Sequence, residues 1–264
     1  MSLETTPALL LKAYNWSESS RTIAFFTKRF GRLALVDKGG RQLKSKRGRP
    51  MPFALLEVTY YDHEKESTSY LSDVELLEQW EFAIDGNLGR LAYGSAALEL
   101  LNLLLPEDES HEDIFTYTCG FMALIASCPR AGLPPLFITY LLRLLSQLGY
   151  HPSLAYCVEC GRDIEEFRAA SGRVAFSAER GGIVCPTCQS VGDYYITPHW
   201  ETYRQAVAFQ TASLSEAATA TMGFSESTQV LDLLVAFIAA HTGAKSDLKS
   251  LTFLEKLKST TLTQ

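Results

Sequence analysis

No stretch of the 264-residue chain approaches the roughly 18 to 20 consecutive apolar residues that a membrane-spanning helix needs. A secretory leader is missing as well: residues 1–6 hold no basic side chain, and the apolar stretch 8–11 stops at Lys12. The expected setting is the cytoplasm, a reducing compartment where closely spaced cysteines serve as metal ligands or reactive thiols instead of disulfides. No glycine-rich loop precedes a Lys-Ser/Thr pair, which argues against a nucleotide cofactor and nucleotide hydrolysis. Gly-x-Ser-x-Gly and His-Glu-x-x-His are absent. Acids such as Glu107, Asp108 and Glu109 fall in loops and form no two-metal carboxylate set. The five histidines are scattered. The chain is therefore expected to bind stoichiometrically and not to be an enzyme.

What is present is an ordinary globular composition, 47% hydrophobic and 20% charged, with a very uneven charge. The net charge of −6 conceals a basic first fifty residues. These carry eleven Lys/Arg against Glu4, Glu18 and Asp37, or +8, and the remainder carries −14. Nine of those cations cluster against the single acid Asp37: Lys28, Arg29, Arg32, Lys38, Arg41, Lys44, Lys46, Arg47 and Arg49. Such density rewards contact with a phosphate backbone through counterion release, and a polyanion would be drawn to this end alone. A polybasic membrane-surface role is the rival, but no amphipathic anchor or lipidation signal adjoins the segment.

Short runs at 9–16, 22–27, 33–36, 53–61 and 69–74 are rich in β-branched and aromatic residues, with a turn signal at Phe30-Gly31 and a Gly- and Pro-bearing loop over 38–50. Five short strands with one long loop fit an OB-type β-barrel spanning 1–75. The aromatics Trp16, Phe25, Phe26 and Phe30 interleave with the cations. Phe25 and Phe26 point to opposite faces of a strand, so at least one belongs to the barrel core. From about residue 76 to 264 the period turns helical, with predicted helices at 75–82, 89–105, 113–128, 134–148, 198–217, 225–240 and 248–257. Thr197-Pro198 reads as a helix start, and Gly149 and Gly243 as helix ends. The fold class is thus α+β: a barrel, then a helical domain.

Within that domain, over about 155–192, the helical pattern lapses. Cys157-Val158-Glu159-Cys160 and Cys185-Pro186-Thr187-Cys188 make two Cys-x-x-Cys knuckles. Four soft thiolates in two tight turns match a structural zinc ion, one per chain, with a ribbon-like hairpin between them over 173–184. Catalytic zinc would keep a position open, and a redox dithiol would sit beside a βαβ pattern that is absent. His151 is the nearest substitute ligand. Cys119 and Cys128 lie among apolar neighbours and read as buried small hydrophobes.

Barrel, helical domain and four-cysteine insert arrive in an order that resembles the RecO family of bacterial DNA-repair and recombination mediators. The resembling stretches are Glu18-Ser19-Ser20-Arg21 into Phe25-Phe26-Thr27, Gly31-Arg32, and Val36-Asp37-Lys38-Gly39-Gly40-Arg41 with Lys44-Ser45-Lys46. Pro52-Phe53 and Leu145-Ser146-Gln147-Leu148-Gly149-Tyr150 follow, leading to Cys157-Val158-Glu159-Cys160-Gly161. The resemblance implies binding of ssDNA and dsDNA and strand annealing without ATP. It further implies recombinase loading with RecR and single-strand-binding protein, in a cytoplasmic, nucleoid-associated setting. It assigns DNA contact to Lys38, Arg41 and Lys44. The alternative is a zinc-ribbon adaptor that works mainly through protein–protein contacts.

Overall fold

Alternation of apolar and polar side chains builds the amino-terminal part into strands, seen in a computed structural model that describes residues 2–15, 18–40, 49–62, 68–80, 87–167, 172–243, 249–250 and 252. The five strands are β1 (Ser2–Asn15), β2 (Arg21–Thr27), β3 (Gly31–Asp37), β4 (Ala54–Asp62) and β5 (Ser69–Gln79). They close into a barrel in the order β1-β2-β3-β5-β4, the topology of an OB-type fold. Every pairing is antiparallel except the short parallel contact of β3 with β5 at Leu35–Ser69 and Val36–Tyr70. β1 serves two neighbours: its first half pairs with β4 and its second half with β2, across an irregularity between Leu10 and Lys12.

Ala8, Ile23, Phe25, Leu35, Leu56, Val58, Tyr60, Leu71 and Val74 fill the barrel. Phe26, one step out of phase, points outward yet is also fully buried, edge-on to Phe115 at 5.4 Å between ring centroids. Phe115 belongs to α2 (Glu112–Ser127), which follows α1 (Leu88–Leu104). Both phenylalanines are therefore core residues, one on each side of the sheet. The chain is compact in two units, one reaching to Ser127 and containing the barrel with α1 and α2, the other running from Cys128 to Asp247.

The second unit is organised on α3 (Leu133–Gln147), whose Leu136, Phe137, Tyr140, Leu141 and Leu144 are fully buried. α4 (Trp200–Phe209), α5 (Leu214–Thr219) and α6 (Phe224–Thr242) pack against it. Gly149 and Gly243, at φ of +84° and +65°, end α3 and α6 in the left-handed conformation the sequence predicts.

Two helix expectations fail. Residues 75–79 continue β5 instead of starting a helix: Leu76 and Leu77 imitate a helical stripe, but pairing with β4 satisfies the backbone and leaves both about half exposed. The predicted 198–217 helix is two helices. Ser213 starts the second with a reciprocal capping box, its hydroxyl accepting from the Glu216 N–H while the Glu216 carboxylate accepts from the Ser213 N–H. The first begins at Trp200 behind His199, not at Thr197-Pro198. Of the predicted 248–257 helix most lies outside the described residues, as does Trp16.

Candidate metal centre and nucleic-acid interface

Each knuckle is a tight turn closed by its own backbone. The Gly161 N–H donates to the Cys157 carbonyl at 2.9 Å with Gly161 at φ +70°, and the Cys188 N–H donates to the Cys185 carbonyl at 2.9 Å. Between them run β6 (Phe176–Ser177) and β7 (Gly182–Ile183), turned by Gly181 at φ +79°. The Val158 N–H donates to the Ile183 carbonyl at 3.0 Å, which brings the first knuckle against the strand feeding the second.

The result is convergence of four thiols. The Sγ atoms of Cys157, Cys160, Cys185 and Cys188 all lie within 4.8 Å of one another, and those of Cys160 and Cys185 are 3.7 Å apart. That is about the ~3.8 Å separation of two sulfurs bonded tetrahedrally at ~2.3 Å to one ion, and far from the ~2.0 Å of a disulfide. All six cysteines are free thiols. Burial pushes Cys185 up, but hydrogen bonds from Thr187 and the neighbouring thiols outweigh it and hold this group down to about 6. Cys188 is pushed up to about 12, first by its hydrogen bond to Cys185. Thiols so crowded share protons that a cation would displace. The four cysteines fit a metal ion, and His151 stays outside the set.

Sequence reading missed Arg180, which projects from the β6–β7 turn across both knuckles. Its guanidinium donates to the Glu159 carboxylate at 3.2 Å and the Ser190 hydroxyl at 3.3 Å, reaches the Cys188 carbonyl at 3.5 Å, and pairs closely with Asp193. The only signal in the sequence was a lone cation in a Glu-Arg-Gly-Gly turn. Arg180→Ala is expected to weaken metal affinity about tenfold, as loss of outer partners of ligands commonly does. Chelator competition measures this, and affinity equal to wild type would remove Arg180 from the site.

Of the nine cations named from sequence, Lys28, Arg29, Arg32, Lys38 and Arg49 lie among the described residues, and Arg41, Lys44, Lys46 and Arg47 lie outside them. Those described do not form one patch. Lys28 and Arg29 occupy the β2–β3 turn, whose backbone is pinned to β1 by the Lys28 N–H on the Pro7 carbonyl at 2.8 Å. Gly31 closes that turn at φ +68°, and a side chain there would strike the Glu109 backbone. Arg32 is spent on the same loop: its Nε donates to the Leu105 carbonyl at 3.0 Å and its guanidinium pairs with Glu107 at 3.2 Å. Lys38 follows β3 at the opposite end, with Nζ 4.0 Å from the Tyr70 ring centroid. Six strand residues at ~3.3 Å each put Arg32 and Lys38 about 20 Å apart, more than two screening lengths of roughly 8 Å at physiological salt.

The acidic loop of Glu107, Asp108 and Glu109 thus accompanies one group of cations, while Lys38 and the exposed Arg49 border the segment that holds the other four. Burial rules out base stacking on Phe25 and Phe26. Phe25 and Phe26 are fully buried, and the half-buried Phe30 packs on Tyr60 with ring centroids 6.0 Å apart. Cys128 is buried as expected, and burial pushes the half-buried Cys119 up to about 12.

A five-stranded closed barrel ahead of a helical unit with a four-thiol centre defines an OB-type α+β protein with an insert able to hold a metal ion. The comparisons then fix the family. Residues 1–80 match the model "Recombination protein O N terminal" and residues 86–252 match "Recombination protein O C terminal", so the chain belongs to the RecO family of DNA-repair proteins. It is 31% identical over 194 residues to a protein named DNA repair protein RecO from Desulfitobacterium hafniense (strain DSM 10664 / DCB-2), covering 73% of this chain and 67% of that one. A protein of the same name from Symbiobacterium thermophilum is 26% identical over 265 residues, covering 98% and 99% of the two chains. Among the described residues no helix is long and apolar enough to cross a membrane.

Proposed function

We propose that the protein binds ssDNA and dsDNA through the β3 end of its barrel and anneals complementary strands without ATP. The observation that carries this reading is Lys38: an exposed cation at the end of β3 that opens onto Arg41, Lys44, Lys46, Arg47 and Arg49 in sequence. The acidic loop lies at the far end of the same strand, where it confines the attraction for a polyanion to this side. Annealing needs neutralisation of two backbones and no bond chemistry, so the protein acts by binding and not as an enzyme. Membership of the RecO family supports RecR and single-strand-binding protein as partners in recombinase loading, and a cytoplasmic, nucleoid-associated place of action. In the four-cysteine centre the ion is zinc, bound by Cys157, Cys160, Cys185 and Cys188, and its part is structural because four thiolates close the shell.

Strand annealing and duplex binding across a salt series test the reading. With about five phosphate contacts, log affinity for duplex falls with log salt at a slope near −4, taking ~0.9 per contact. Flat salt dependence and no annealing would overturn it. A protein-adaptor reading draws on one observation: Val191 is fully exposed and Tyr194 84% exposed, on the loop that Arg180 holds through Asp193. Loss of partner binding on their substitution, with DNA affinity intact, would favour that reading.

A further inference from the structure

We infer that Tyr14, Tyr61 and Tyr70 form a nucleobase-stacking platform on the outer face of the barrel. This rests on the DNA-binding reading above and deepens it, naming single strands as the form gripped through their bases. The register carries the inference. Tyr14 pairs with Thr22, Thr22 with Val36, Val36 with Tyr70, and Tyr70 with Tyr61, so one rung crosses β1, β2, β3, β5 and β4. Directly paired residues project to the same side of a sheet. Their neighbours one step along, Ile23, Leu35, Leu71 and Tyr60, fill the barrel, so this rung points outward.

Part of the outer face is covered, as the burial of Leu9 and Phe26 shows. The tyrosine rung is open: Tyr14 is 46% exposed and Tyr61 39%, with Thr22, Val36 and Tyr70 half-buried. Two cations sit over its rings. Lys12 lies 4.6 Å from the Tyr14 centroid and Lys38 4.0 Å from that of Tyr70, and the rung itself contains no carboxylate.

Rings for bases with ammonium groups beside them for phosphates is the arrangement that holds single strands without regard to sequence. Three strand spacings of ~4.8 Å separate Tyr14 from Tyr70, a path of about 14 Å that a few nucleotides span. Thr22 and Val36 form a low floor between the two rings. Duplex offers no unstacked bases to such a platform, so the rung discriminates single strands from duplex. Lys38 joins the platform to the basic segment.

The test uses the full chain with Tyr14, Tyr61 and Tyr70 changed to Ala singly and together, and to Phe. Affinity is measured by fluorescence anisotropy for a thymidine oligonucleotide, an abasic strand of equal length, and a duplex. Each Tyr→Ala change is expected to weaken thymidine binding about tenfold. Abasic and duplex binding stay at the wild-type value, the salt slope is unchanged, and Phe restores affinity. Wild-type affinity of the triple Ala variant for thymidine, or equal losses on all three probes, would overturn the platform. Failure of the wild-type protein to bind any probe would instead overturn the DNA-binding reading beneath it.

Discussion

Replacing Cys185 with Ser, or stripping the metal with a chelator, should unfold the β6–β7 module while leaving the barrel intact. β6 and β7 are two residues each, and a two-stranded hairpin of that size is not stable alone in water. Phe176, Ile183, Val184 and Leu154 are buried around it, but they form too small a core to hold two knuckles and their loops. A structural zinc ion contributes on the order of 10 kcal/mol to such a module, comparable with the whole stability of an ordinary domain. Serine keeps the volume at Cys185, which is fully buried, and removes the soft ligand. The expected result is metal content falling from about one zinc per chain to none. With it, trypsin should cut at Arg180, whose guanidinium is engaged by Glu159, Ser190 and Asp193 in the folded module. ssDNA affinity should be retained, because the barrel and the module belong to different compact units. A metal-free protein in which Arg180 stays uncut would show that the thiol cluster is dispensable to the fold.

The metal site was the most legible part of the sequence because its geometry is local. A two-residue spacer dictates a turn with two thiols on one side, and only the meeting of the two knuckles needed the fold. The barrel strands were legible for the same kind of reason, through alternation. What could not be read depended on partners distant in the chain. Phe26 is buried by Phe115, eighty-nine residues later, so no local pattern announced that the barrel's outer face was covered. Arg32 reads as a phosphate ligand in the sequence, but Glu107 and the Leu105 carbonyl engage it in the fold. Leu76 and Leu77 imitate a helix because two adjacent leucines fit either period, and the choice was made by β4 across the sheet. The tyrosine rung draws on all five strands and exists only in the register between them.

The same long-range reading sharpens what the basic segment should do. Changing Lys38, Arg41, Lys44 and Lys46 together to Ala is expected to lower the salt slope for ssDNA by about 3, from four contacts at ~0.7 each. Relative to high salt, where the electrostatic contribution vanishes, that slope is worth on the order of several hundredfold in affinity near 0.1 M. Arg32→Ala supplies the contrast. Its guanidinium is already engaged within the fold, so its removal should lower the melting temperature and leave the slope where it was. A charge-counting account treats the five cations as equivalent and expects Arg32→Ala to lose one contact's share. The structure separates Arg32 from Lys38 by the length of β3 and puts the acidic loop beside Arg32. Isothermal binding over a salt series decides between the two accounts. Equal slope losses per cation would mean that DNA lies along the whole strand and displaces Glu107 from Arg32. An unchanged slope in the quadruple variant would move the polyanion site off the β3 end altogether.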